Sequence, residues 1–93
     1  MIVTVRYYAA AKAATGVEAE AVDVPDGATL VALLAALDSP NRATARSPEP
    51  GAPELGDVLR RCSFLVNEVA AKDPSRPLGD GDTVDILPPF AGG

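Results

Sequence analysis

Leu78-Gly79-Asp80-Gly81-Asp82-Thr83-Val84-Asp85-Ile86-Leu87-Pro88-Pro89-Phe90-Ala91-Gly92-Gly93 reads as a plug, a turn, a strand and a stalk. Leu78 is the apolar plug of a loop, and Asp80-Gly81-Asp82 is turn chemistry. Residues 83–87 alternate, so Val84 and Ile86 share the buried side of a strand. That strand stops at Pro88-Pro89, because proline offers no N–H to a ladder and holds φ at about −65°. The segment beyond is expected to project as an extended stalk reaching roughly 20 Å. Phe90-Ala91-Gly92-Gly93 then places one large apolar side chain and two bare backbone residues beside a carboxylate. A frayed end needs neither the prolines nor the phenylalanine, so residues 88–93 are the expected working part.

Working back from that stretch, Phe64-Leu65-Val66, Asn67-Glu68 and Val69-Ala70-Ala71 read as strand, tight turn and short strand. Leu55, Val58, Leu59 and Cys62 recur at i, i+3, i+4 and i+7, the spacing of an amphipathic helix. Leu30, Leu33, Leu34 and Leu37 repeat it more strongly behind Pro25-Asp26-Gly27, with Thr29 placed to cap the helix. Between these helices, residues 38–53 carry prolines, Gly51 and small polar residues without a period, which predicts a flexible surface insertion. The chain opens with Val3, Val5 and Tyr7 alternating against Thr4, Arg6 and Tyr8, a half-buried strand. An alanine-rich helix over residues 9–15 should close at Gly16. Residues 18–24 form the second strand, with Glu20 out of phase and therefore expected at its solvated beginning or beside a bulge.

The 93 residues are one domain with a modest core. A 47% hydrophobic content argues for a globule, while the longest apolar run, residues 28–37, is too short for a membrane span. Residues 1–6 lack an export signal, so a cytoplasmic location is expected. Without histidine, and with Cys62 the single cysteine, cysteine/histidine metal cages and histidine acid–base catalysis are excluded. A net charge of −5 with scattered Lys and Arg disfavours nucleic acid. Cys62 sits at a core position and reads as a structural thiol. Asp80, Asp82 and Asn67 read as turn residues, and Asp26-Gly27 is too short to cradle a phosphate.

Strands at both ends, with too little helix to cover two sheet faces, predict an α+β fold, a mixed sheet with helices packed on one face. If the first and last strands are neighbours, Tyr8 and Leu87 emerge together on the open face, at the root of the tail, alongside Thr4, Arg6 and Asp85. The last eight residues, the preceding Leu78-Gly79-Asp80-Gly81-Asp82-Thr83-Val84, the Val66-Asn67 turn and the opening Val3-Thr4-Val5-Arg6-Tyr7-Tyr8 resemble the MoaD/ThiS sulfur-carrier family, in particular its molybdopterin synthase small subunits. The resemblance covers nearly all of the chain outside residues 38–53. It implies a ubiquitin-like β-grasp over residues 1–87 with a projecting C-terminal tail over residues 88–93.

It also implies a chemistry. An adenylating, E1-like partner would use ATP and Mg²⁺ to activate the Gly93 carboxylate, and a sulfurtransferase donor would then displace AMP to leave a thiocarboxylate. The thiocarboxylate would be delivered into the molybdopterin synthase large subunit, in a heterotetramer, and its sulfur passed to a pyranopterin precursor of the molybdenum cofactor. The chain would then be no enzyme on its own and would bind no cofactor. Gly92 and Gly93 would let the backbone pass a constriction and leave the carbonyl open. Phe90 would fill a groove, Pro88, Pro89 and Ala91 would complete the tail, and Tyr8 and Leu87 would form the docking patch. Carriers for thiamine or cysteine biosynthesis and ubiquitin-like protein modifiers use the same Gly-Gly chemistry and remain the alternatives.

Overall fold

The computed structural model describes residues 1–43 and 46–89. The chain runs β1 (Ile2–Tyr7), α1 (Ala9–Thr15), β2 (Ala19–Asp23), α2 (Leu30–Leu37), α3 (Pro40–Ala43), α4 (Leu55–Leu59), β3 (Ser63–Val66), β4 (Val69–Ala70) and β5 (Thr83–Leu87). The strands form one mixed sheet in the order β2-β1-β5-β3-β4. The two ends of the chain meet at its centre, where β5 runs parallel to β1 in the register Arg6↔Asp85 and Tyr7↔Ile86. β3 closes on the other side of β5, antiparallel, with Phe64 opposite Ile86. A central position explains why β5 is buried while still delivering the tail at the sheet's end.

One face of the sheet carries the core. Val3, Val5, Tyr7, Val22, Val24, Val84 and Ile86 are buried there against Ala11 and Ala14 of α1, Leu30, Leu33 and Leu37 of α2, and Leu55, Val58 and Leu59 of α4. α2 forms where expected for two reasons. Its leucines fall on one stripe, and the Thr29 hydroxyl accepts a hydrogen bond from the Ala32 N–H at 3.2 Å, satisfying one of the first-turn donors. α1 ends at Gly16, whose φ of 78° only glycine adopts without strain. A Cβ at Gly16 would also meet the Ser47 carbonyl oxygen at 2.1 Å, so the glycine serves a close approach as well as a cap.

Three details differ from the sequence reading. Glu20 is neither beside a bulge nor solvated, because β1 and β2 pair without interruption from Ile2↔Asp23 to Arg6↔Ala19. It faces the same side as Val22 and is half-buried because it has partners: the Tyr7 hydroxyl donates to it at 2.6 Å, and Arg42 and Arg46 lie at 3.1 and 3.9 Å. Residues 38–53, expected to lack regular structure, contain the single-turn helix α3, and their backbone meets α1 through the Glu49 N–H donating to the Ala13 carbonyl. The α4 helix is shorter than its period suggested and ends at Leu59, leaving Cys62 just beyond it, half-buried, with its Sγ 3.1 Å from the Val58 carbonyl.

Candidate functional site at the root of the tail

The exit of the tail is set by the turn that launches β5. Asp82 accepts hydrogen bonds from the Gly79 N–H at 2.7 Å and from the Asn67 side-chain amide at 2.9 Å. The Asn67 carbonyl oxygen in turn accepts from the Thr83 N–H at 2.9 Å. Asp80 accepts from the Ile2 N–H at 2.8 Å, so the same turn is clasped to the start of β1. Those donors hold the Asp82 carboxyl below its ordinary range, the Gly79 N–H contributing most and Asn67 next. Asn67 and Glu68 both adopt positive φ, as the two-residue turn between β3 and β4 requires. The aspartates and Asn67 are therefore structural, as their turn chemistry indicated.

At the far end of β5, the parallel register carries extended Tyr8 alongside Leu87. Tyr8 is 40% exposed, Leu87 and Pro88 are half-buried, and Pro89 is exposed. The two side chains expected to form a patch thus emerge on the open face where the chain leaves the sheet. Phe90, Ala91, Gly92 and Gly93 lie outside the described residues. On the same face, Arg6 and Asp85 form a bidentate ion pair, with the Arg6 Nη2 at 2.7 Å from Oδ2 and its Nε bonded to Oδ1. Both residues had been placed on this face from the alternation, but not their contact, which depends on the β1–β5 register.

The remaining chemistry-bearing groups are quiet. Burial pushes the Cys62 thiol up to about 11, away from the range of a reactive thiolate. Among the described residues no cluster of three His, Cys, Asp or Glu could hold a metal ion, and no helix is long and apolar enough to cross a membrane.

The ThiS family profile matches residues 5–93. The chain belongs to the ThiS family. Along its whole length this ThiS-family chain is 31% identical to the molybdopterin synthase sulfur carrier subunit of Chlamydomonas reinhardtii, over 94 aligned residues and all of that protein. Among solved structures it is similar to a chain in the complex of subunits 1 and 2 of the molybdopterin-converting factor from Helicobacter pylori, at 26% identity and a TM-score of 0.65 with both chains fully covered. SAMP1 from Haloferax volcanii shares the fold at a TM-score of 0.72, with 21% identity and both chains fully covered. The five-stranded mixed sheet with helices on one face is the ubiquitin-like β-grasp of these neighbours.

Proposed function

We propose that this chain is a sulfur carrier of the molybdopterin synthase small-subunit type, with the Gly93 carboxylate as its loadable group. The observation that carries the reading is the join of two features: a β5 strand locked between β1 and β3, and a Pro88-Pro89 exit flanked by Tyr8 and Leu87 at the surface. A β-grasp body that holds its last strand rigidly and releases it at an apolar patch suits a tethered nucleophile. The family match through Gly93 and the whole-length likeness to a named sulfur carrier subunit support it.

A carboxylate resists nucleophiles, so a carboxylate oxygen of Gly93 first attacks the α-phosphorus of ATP in an adenylating partner, with Mg²⁺ offsetting the phosphate charge and pyrophosphate leaving. Sulfide-level sulfur released by a donor protein as HS⁻ then attacks the carbonyl carbon, the C–O bond to AMP breaks, AMP departs and the S–H proton is lost. The thiocarboxylate so formed is threaded into the large subunit of the synthase, which brings it to a pyranopterin precursor. Glycine at positions 92 and 93 removes the Cβ that would obstruct both the channel and the attack. Pro88 and Pro89 reduce the chain entropy lost on threading. Tyr8 and Leu87 dock the body. The chain is consumed and reloaded as a co-substrate; its thiol is suppressed and its turn carboxylates are occupied by hydrogen bonds, which suits a carrier without catalysis of its own.

Mass spectrometry tests this directly. Incubated with an activating enzyme, ATP and a sulfur source, the protein should exchange one terminal oxygen for sulfur. A chain whose mass stays unchanged while a known carrier is loaded in the same mixture would overturn the reading.

A further inference from the structure

The open face of the sheet holds one feature that neither a core nor an ordinary surface requires. Asp85 is only 4% exposed although it lies on the side away from the helices, because the Arg6 guanidinium covers it. Around this pair the register places Ala19 opposite Arg6, Leu65 opposite Asp85, and Tyr8 and Leu87 one step toward the tail. An ion pair thus sits on this face with small or apolar neighbours toward the tail, and with the hydroxyl-bearing Thr4, Thr83 and Ser63 completing the same side of the sheet. Arg6 has five N–H groups, and its hydrogen bonds among the described residues, both to Asp85, use two of them. Among the described residues the other three meet no acceptor, consistent with a side chain 40% exposed.

We infer that Arg6, locked in place by Asp85, is a specificity-determining residue of the docking face, and that the partner subunit seated there presents a carbonyl oxygen, from backbone or a side-chain amide, to its free N–H groups. The inference rests on the carrier reading, which supplies the occupant: the large subunit that receives the tail, whose contact with the body is continuous with Tyr8 and Leu87. Docking would strip water from the pair, and a desolvated guanidinium donor left without an acceptor is costly, so a partner lacking one is rejected. The acceptor is neutral because the pair already balances its own charge and Glu68 is near enough to Arg6 to favour its cationic form. A partner carboxylate would be the third anion around one cation.

The test uses the full chain and the molybdopterin synthase large subunit encoded by the same genome, with dissociation constants measured by calorimetry. Arg6→Leu alone strands Asp85, so the informative variant is Arg6→Leu with Asp85→Ala, which removes both charges; circular dichroism and thermal melting establish that it is folded. The double variant should bind the large subunit about tenfold or more weakly, since the partner's acceptor is then buried unpaired. This ratio should hold between low and high salt, as expected for a neutral acceptor. Undiminished binding by the folded double variant would overturn the inference while leaving the carrier reading intact, and a ratio that collapses in high salt would overturn the carbonyl assignment. Failure of the unaltered chain to bind at all would count against the carrier reading, and the inference would fall with it.

Discussion

Asp82 shows how a single carboxylate in a loop decides where the tail leaves. Its two oxygens gather the Gly79 N–H and the Asn67 amide, and Asn67 passes the constraint to Thr83, the first residue of β5. Since the folded-state pKa of Asp82 lies below the unfolded one, the stabilisation is fully present above the ordinary carboxylate range and is lost as pH falls through the depressed folded value. Asp82→Asn should therefore lower stability in urea at pH 7, and the gap between variant and parent should narrow in acid, below the usual carboxylate pKa. A gap independent of pH would mean that the charge of Asp82 is not what the turn uses. A neighbouring case carries no charge: Thr29→Ala deletes the hydroxyl that caps α2 and should cost about 1 kcal/mol in the same denaturation experiment.

At the scale of elements, what was legible in the chain was what local chemistry dictates. α2 could be read because its leucines, its cap and the preceding Pro25-Asp26-Gly27 turn agree, and β5 because alternation, turn and proline stop agree. Glu20 could not be read, since its partners Arg42 and Arg46 come from a stretch whose composition signals only a loop, and nothing nearby in the sequence announces them. The Arg6–Asp85 contact was hidden for the same reason: alternation assigns a face, but only the pairing of the first strand with the last makes two residues neighbours. The junction of α1 with residues 47–49 offers a sharp check. Gly16→Ala must tolerate a φ of 78° and displace the Ser47 carbonyl from 2.1 Å, so it should destabilise by at least about 1–2 kcal/mol and speed hydrogen exchange of the Glu49 amide, which bonds to Ala13. Glu20→Ala should cost about 2 kcal/mol or more, because the buried Tyr7 hydroxyl loses its acceptor and the Arg42 and Arg46 guanidiniums lose their shared counter-charge.

For the whole molecule, the division between a folded body and a chemical tail makes a separable prediction. The core ends with Ile86, which is fully buried, and β5 ends at Leu87, with Pro88 half-buried just beyond, so the buried core of the described body lies upstream of the prolines. Removing Gly92 and Gly93 should leave the melting temperature and the circular dichroism spectrum unchanged while abolishing acquisition of sulfur, because the loadable carboxylate would then sit on Ala91, whose Cβ obstructs the carbonyl that glycine leaves open. The converse variant, Tyr8→Ala with Leu87→Ala, alters one exposed and one half-buried side chain at the exit and keeps both glycines. It should weaken large-subunit binding by tenfold or more, as truncating paired anchors of an interface commonly does, and it should still fold, melting somewhat below the parent because Leu87 is half-buried. The two variants fail at different steps of one cycle, the first at loading and the second at delivery. Mixing them with activating enzyme and large subunit in turn locates each defect. A truncated chain that still acquires sulfur would detach the chemistry from Gly93, and a patch variant that binds normally would detach docking from the open face.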